Sequence, residues 1–368
     1  MRVALVHDWL VTMGGAERVL EALAQMYPDA PIYTGVVDFD HLSPGLRQKH
    51  IIPSLVQRLP RAKRWYNRYL PFLLYGFEQF DLSQYDLVIS SSAAVAKGVI
   101  TPVDTVHVAY VHTPMRYAWD LYHDYRNREA KGITKRLMGP VFHYVRMWDR
   151  LAADRPDVLV ANSHLVQRRI LKHYHRHAQI VYPPVAIDRF EVKKPGSYYL
   201  VLSRLVAYKR IDLAIEAANQ MGIPLVVAGD GPERVHLKHM AGNTIKFTGA
   251  VSDDVAKQLV ENAKALIFPG EEDFGIVPIE MQAAGHPVIA FGRGGVLDTV
   301  IDGETGVFFH SQDVQHLIQA IRTAENMAWD AQKIRRHSEK FRPERFREAM
   351  SLVIDEALSH HEPSPKSQ

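Results

Sequence analysis

Glu272 and Glu280 bracket the stretch Glu272-Asp273-Phe274-Gly275-Ile276-Val277-Pro278-Ile279-Glu280, the part of this 368-residue chain with the clearest chemical pattern. It follows an apolar run, Ala265-Leu266-Ile267-Phe268, and the breaker pair Pro269-Gly270, and leads through Met281-Gln282-Ala283-Ala284 to a stop at Gly285-His286-Pro287. This reads as strand, loop and helix. Carboxylates eight positions apart on one helix lie just over two turns apart, about 12 Å. With Glu272 in the loop and Glu280 on the helix, both can face one side of a ligand lying across the helix N-terminus. The amides of Phe274, Gly275 and Ile276 then sit at the positive end of the helix dipole, where phosphate is favoured. Carboxylates that accept from hydroxyls, beside amides that donate to an anion, describe a sugar-nucleotide site. Two glutamates that only cap or solubilise a helix are the plainer alternative.

The same spacing resembles the E-x7-E motif of the retaining glycosyltransferases of family 4, whose fold is GT-B. The resemblance implies that Glu272 binds hydroxyls of the donor sugar and Glu280 the nucleotide ribose. Asp273, Phe274, Gly275, Ile276 and Val277 would then lie along the donor. Ser203-Arg204 followed by Lys209 resembles the pyrophosphate clamp of that family, with Arg204 and Lys209 as its cations. A sugar-nucleotide leaves as a diphosphate, so negative charge grows on the leaving oxygen, and two fixed cations stabilise it more in the transition state than before. Two cations at the start of a helix oppose its dipole unless an anion is present.

Gly14-Gly15, after the first strand, lets backbone amides approach a phosphate or sugar without a Cβ in the way. It resembles the GT-B glycine loop over the donor pyrophosphate, although a tight turn needs the same residues. His112 ends another strand in His112-Thr113-Pro114-Met115-Arg116-Tyr117-Ala118-Trp119-Asp120. The string resembles bacterial O-antigen and exopolysaccharide mannosyltransferases, as do Val160-Ala161-Asn162-Ser163 and Val181-Tyr182-Pro183-Pro184-Val185. This likeness implies a place for His112 at the donor sugar, GDP-mannose as donor, and Arg116 and Asp120 as acceptor contacts. Gly229-Asp230-Gly231-Pro232-Glu233 could pass for a dinucleotide fingerprint, but the third glycine is missing and position 234 is Arg. In the family reading Gly229 belongs to the donor site, and the segment around Val251 holds the base. Gly292-Arg293-Gly294-Gly295 departs from the family form in having Asp298 where Glu is commoner.

Two further patterns point to metal and lead nowhere. Asp38-Phe39-Asp40 is a D-x-D placed early, beside the second strand, and the alternating histidines His173, His175 and His177 surround Arg176, which opposes a divalent cation. No cofactor and no metal is expected: Arg204, Lys209 and helix amides would take the metal's place.

The elements that must hold these residues alternate strand and helix nearly throughout, which argues for parallel sheets covered on both faces. Strands are predicted at 3–7, 31–34, 87–90, 106–111, 158–162 and 180–182, then at 198–203, 225–228, 245–248, 265–268, 288–291 and 307–309. Helices are predicted over 15–26, 211–221, 253–262 and 313–324. Two sets of about six strands meet near Pro183-Pro184. The expected organisation is an acceptor-side Rossmann-like domain over 1–185 and a nucleotide-sugar domain over 186–343. A helix over 344–360 carries an apolar stripe, which GT-B enzymes return to the first domain, and 361–368 is a flexible tail. The expected fold is therefore α/β, GT-B, with two doubly wound domains facing across a cleft.

Length alone suggests two domains. No apolar run of eighteen residues is present, and Met1-Arg2-Val3-Ala4-Leu5-Val6-His7-Asp8 reads as a strand rather than a signal peptide. The absence of cysteine removes disulfides, thiolate metal sites and a thiol nucleophile, and fits a cytoplasmic chain. Net charge is +3, divided unevenly: residues 1–185 hold 23 Lys/Arg against 16 Asp/Glu, the remainder 21 against 25. From His41 to Phe77 there are seven basic residues and no acidic one. Within that segment, residues 58–75 interleave cations with aromatics and leucines, which suits an anionic membrane surface and would make the chain peripheral on the inner face of the cell membrane. A solvated basic surface with its aromatics packed inward is the alternative, and nothing resembles a nucleic-acid module.

The function expected from all this is a retaining sugar transferase, using GDP-mannose, that acts on a glycan or lipid-linked acceptor in cell-surface polysaccharide synthesis. A UDP-sugar-dependent transferase, a GT-B epimerase or phosphorylase, and a non-catalytic sugar-nucleotide-binding subunit remain as alternatives.

Overall fold

Unbroken runs of Val, Ile, Leu and Ala need cover on both faces, which parallel strands joined by helices supply. The computed structural model, which describes residues 1–128 and 132–361, builds two such sheets. One contains β1 (Val3–His7), β2 (Ile32–Thr34), β3 (Ile51–Pro53), β4 (Leu87–Ser92), β5 (Val106–Val111), β6 (Val158–Ala161) and β7 (Gln179–Ile180). The other contains β8 (Tyr199–Leu202), β9 (Leu225–Ala228), β10 (Ile245–Gly249), β11 (Ala265–Phe268), β12 (Val288–Phe291) and β13 (Gly306–Phe309). All pairings are parallel. The orders are β3-β2-β1-β4-β5-β6-β7 and β10-β9-β8-β11-β12-β13. In each sheet the first strand lies inside and the winding reverses beside it, between β1 and β4 and between β8 and β11. Ligands of doubly wound sheets bind outside the carboxyl ends of the strands at that reversal.

The chain divides into two compact units. The N-terminal unit is Met1–Pro184 together with the residues from Phe346 onward, and the second unit is Val185–Arg345. The helices that matter below are α1 (Gly15–Met26), α2 (Leu70–Glu78), α3 (Gly132–Ala152) and α4 (His164–Tyr174) in the first. The second has α5 (Ile211–Met221), α6 (Asp253–Glu261) and α7 (Ile276–Ala283). A final helix, α8 (Pro343–His360), buries Phe346, Met350, Val353, Ile354 and Ala357 in the core formed by β1, β4, β5 and α1 of the N-terminal unit. Tyr110 and Phe346 meet edge to face there, 5.8 Å between centroids. The flexible tail expected at 361–368 lies, from residue 362, outside the described residues.

Among the strands of the described residues, the edge strand β3 is the one the sequence reading lacks, and the helices α2, α3 and α4 are not among those it names. That strand is three residues long and ends in Pro53, so neither alternation nor length marks it. Among the described residues no helix is long and apolar enough to cross a membrane.

Candidate functional site

The second unit assembles its site from loops at the carboxyl end of its sheet. Strand β8 ends at Leu202, and the chain turns through Ser203, Arg204 and a short 3-10 turn, Ala207–Lys209, before α5 begins. Arg210, next to Lys209, adopts a left-handed conformation (φ 51°), unusual for a residue with a side chain. Its guanidinium is clamped by both oxygens of Asp212, and Gln312 reaches from the Pro269 carbonyl toward the same group. The turn that presents Lys209 is therefore held from behind.

Across the winding reversal, β11 ends at Phe268 and its loop runs Pro269-Gly270 to Gly275, the N-cap of α7. Gly270 lies so close to Lys209 that a Cβ there would sit 2.8 Å from the Lys209 Cα, so the two loops touch. The Glu272 carbonyl accepts from the Gly295 amide at 2.8 Å, and a Cβ on Gly294 would sit 2.6 Å from that same carbonyl oxygen. The glycine loop after β12 thus seats the backbone of Glu272, whatever side chain stands at position 298.

The outcome is direct contact between the Lys209 ammonium and the Glu272 carboxylate, with side chains 13% and 21% exposed. Residues expected to grip separate parts of one ligand neutralise each other here. Arg204 is exposed nearby in sequence, on the loop between Ser203 and Leu205. Ser203 donates its hydroxyl to the Arg204 carbonyl at 3.3 Å and its amide to Ala228 at 3.0 Å. Phe274 is buried and meets Phe341 edge to face, so its ring belongs to the core while its backbone enters α7. Asp273, Ile276 and Val277 are half-buried along the same loop and first turn. Within α7, the first-turn amides have no carbonyl four residues back to accept from them.

Glu280, one turn further, is only 6% exposed, and Arg189 approaches its Oε1 at 3.8 Å. Sequence reasoning missed Arg189, which lies ninety residues away in a segment with no strand or helix signal. The Gly229 amide donates to the Gly249 carbonyl at 2.8 Å and ties the end of β9 to β10. Val251 is half-buried in the loop between β10 and the Ser252 cap of α6.

The N-terminal unit treats its own candidates differently. The Gly14 amide, expected to face a phosphate, donates instead to Glu17 Oε2 at 2.8 Å, the back-bond of a capping box. Glu17 in turn faces His7 at 3.7 Å, His7 meets the Ser91 hydroxyl at 3.1 Å, and that hydroxyl meets His112 Nε2 at 2.8 Å. His112 therefore ends a chain of polar contacts reaching back to the glycine loop, with Gly15 opening α1. Loss of solvation pushes the His112 pKa down to about 3, with the neighbouring His7 adding to the shift, so its imidazole is neutral near pH 7. Glu17 was legible as the third residue of a helix after Gly14, the position from which a carboxylate reaches back.

Asp120 is held by Arg169 Nε at 2.6 Å and His173 Nε2 at 3.0 Å, and the bond to His173, chiefly, keeps its carboxyl below the usual range. It fastens the loop after β5 to α4. Arg116 lies half-buried on that loop, its carbonyl accepting from Leu121. The alternating histidines are taken apart by packing: His173 stacks on Trp119, while Arg176 donates to the carbonyls of Ala153, Pro156 and Asp157. Asp38, of the early D-x-D, pairs with Lys63 at 2.8 Å. Among the described residues no group of three or more His, Asp or Glu is arranged to hold a metal ion.

The basic segment divides between its two readings. Leu70, Leu73 and Leu74 are buried, Tyr66 packs on Trp9, and the guanidiniums of Arg61 and Arg68 both lie over the Trp65 ring. Arg58, Arg61, Lys63, Arg64, Phe72 and Tyr75 are exposed.

Two family descriptions match the chain. Glycosyltransferase Family 4 matches residues 13–189, and Glycosyl transferases group 1 matches residues 186–341. A glycogen synthase of Mycobacterium tuberculosis is 32% identical over 135 residues, covering 34% of this chain and 33% of the relative. The chain thus spans about a third of the length of the glycogen synthases it matches. The alpha-1,3/1,6-mannosyltransferase ALG2 of Kluyveromyces lactis is 23% identical, covering 82% of this chain and 71% of the relative. A GDP-mannose-dependent alpha-mannosyltransferase of Corynebacterium glutamicum is 31% identical over 120 residues, covering 32% of this chain and 29% of that one. The crystal structure of Anabaena HepE in complex with UDP superposes with a TM-score of 0.73 at 17% identity, covering 97% of this chain and all of that one. Two like-ordered parallel sheets, and family matches running together from residue 13 to residue 341, place the chain among the GT-B glycosyltransferases of group 1 and family 4.

Proposed function

We propose that this chain transfers mannose from GDP-mannose to a glycan or lipid-linked acceptor, with retention of configuration and without a bound metal. The observation that carries the reading is the Lys209–Glu272 contact at the winding reversal of the second sheet, beside the N-terminus of α7. A cation and a carboxylate held together in a half-open crevice present complementary groups to a ligand that has both phosphate and hydroxyls. On binding, the ammonium turns to the diphosphate and the carboxylate to the sugar hydroxyls. Arg204 adds the second cation, the α7 amides add donors, and Glu280 takes the ribose hydroxyls. In the front-face reaction the acceptor hydroxyl attacks on the side from which the diphosphate leaves. The C–O bond to the diphosphate breaks, the new glycosidic bond forms, and a phosphate oxygen takes the acceptor proton. In the N-terminal unit neutral His112 is the proposed contact to the sugar, and Arg116 and Asp120 those to the acceptor.

GDP-mannose is supported by the likeness of the His112 string and by the mannosyltransferase relatives. A UDP-sugar is the second reading, since a structural neighbour was solved with UDP. Thermal-shift measurements with GDP-, UDP- and ADP-sugars decide between them, because the bound donor stabilises the folded state by mass action. Radiolabelled GDP-mannose is then incubated with and without membrane glycolipid extract. Label in the glycolipid is the expected result. Turnover without acceptor would instead point to an epimerase or phosphorylase, and binding without turnover to a non-catalytic subunit.

The proposed partner surface is an anionic bilayer. Besides the exposed cations of 58–68 and the outer Phe72 and Tyr75 of α2, it includes α3. That helix exposes Leu137, Val141, Tyr144, Met147 and Leu151 at steps of four, three, three and four residues, one face of a helix. The two helices adjoin, with Trp148 Nε1 donating to Glu78 at 2.9 Å. An apolar helix face beside exposed cations is the composition of an interfacial surface.

A further inference from the structure

Arg189 sits in a short 3-10 turn, Ile187–Arg189, early in the second unit. Its guanidinium reaches two carboxylates from different elements: Glu280 on α7, with 3.8 Å from Nη2 to Oε1, and Asp253 at the start of α6, with 3.6 Å from Nη1 to Oδ2. The turn is fixed in place. Ile187 and Phe190 are buried, Val185 donates to the Phe341 carbonyl, and Arg335 donates to the Phe190 carbonyl while also reaching that of Ala283 at the end of α7. The Arg189 Nε is buried and makes no hydrogen bond. A guanidinium leaves a buried N–H unsatisfied only at a cost, so something else holds this one there. The two carboxylates at its other nitrogens do so.

We infer that Arg189 is a positioning residue for donor binding, acting through Glu280 to set how the nucleotide ribose is read. The inference rests on the reading of Glu280 as the ribose carboxylate. Burying a carboxylate that is only 6% exposed is costly unless a cation stands near it. Arg189 supplies that cation from the 3-10 turn. Through Asp253 the same guanidinium ties this carboxylate to the segment that follows Val251. One side chain thus links the ribose carboxylate with the loop proposed to hold the base. Removing it takes away the cation that orients Glu280 from this side, and with it the acceptor direction set for a ribose hydroxyl.

The test measures binding of GDP and of UDP, each beside its 2′,3′-dideoxy analogue, by calorimetry. It uses the full chain and the variants Arg189→Ala, Arg189→Gln, Arg189→Lys and Glu280→Gln. The wild type is expected to prefer the ribose form about tenfold or more, and Glu280→Gln to lose that preference. Arg189→Ala and Arg189→Gln should lose it too while binding the dideoxy nucleotide as the wild type does, and Arg189→Lys should recover part of it. A merely structural role would weaken both nucleotides alike, and that result overturns the inference. So does an intact preference in Arg189→Gln when Glu280→Gln has lost it. If Glu280→Gln itself keeps the preference, the ribose reading of Glu280 falls first and the role of Arg189 with it.

Discussion

At the carboxyl end of β1 the buried Asp8 carboxylate accepts from the amides of Ala93, Ala94, Val95 and Ala96, at 2.5 to 2.9 Å. At the carboxyl end of β8, the equivalent place in a sheet of the same order, Lys209 and Glu272 face each other, mostly buried but still reached by solvent, before the start of α7. Both crevices arise where the winding reverses, and both bring loop amides together. In the N-terminal unit the chain's own carboxylate takes those amides, so the crevice serves stability. In the second unit the corresponding groups balance each other by charge and are partly open, so a ligand can exchange with the pair. Topology makes the crevice; the side chain at the end of the first strand decides whether it is filled from within.

This contrast can be broken by swapping the measured property. Asp8→Ala should cost roughly 3–5 kcal/mol of stability, since four amides lose their acceptor together. Glu272→Ala should change stability by less than about 1 kcal/mol, because its carboxylate is not needed to satisfy the fold. Urea denaturation of the two variants checks both figures, and equal losses would erase the distinction between the crevices. The next effect is on turnover. Lys209→Ala should slow transfer at least about a hundredfold, the loss typical of one preorganised electrostatic group, with little change in melting temperature. Near-normal turnover would detach the pair from catalysis. The smallest effect concerns the outer surface of the N-terminal unit. Arg61→Glu, Lys63→Glu and Arg64→Glu together, or Met147→Glu with Leu151→Glu, should reduce flotation with vesicles of phosphatidylcholine and phosphatidylglycerol severalfold. Neither set should alter the behaviour with phosphatidylcholine alone, and unchanged flotation would remove the bilayer from the account.

Much of the second unit was legible because its signals are local. The strand, breaker, loop and helix from Ala265 to Ala284 lie in one stretch, and each of Glu272, Gly275 and Glu280 has its place fixed by neighbours in sequence. The glycine loops told less than they suggested. Gly14 and Gly229 look like phosphate loops, yet their amides go to Glu17 and Gly249, because a backbone amide takes the nearest good acceptor. Nothing near Asp120 in sequence marks its partners, Arg169 and His173, which reach its carboxylate from a helix some fifty residues further along.

The amino-acid order by itself determined that strands and helices alternate, that two sheets form, and that a carboxylate pair brackets the start of a helix. These follow from periodicity and turn chemistry, which act over a few residues. Only the tertiary structure decided which charges meet. Lys209 with Glu272 and Asp8 with the amides of Ala93 to Ala96 join loops that become neighbours because the strand order reverses, and Arg189 meets Glu280 on a helix about ninety residues further along. Such pairings depend on how strands are ranked in a sheet, and hydrophobic packing sets that rank without leaving a mark at the residues it brings together.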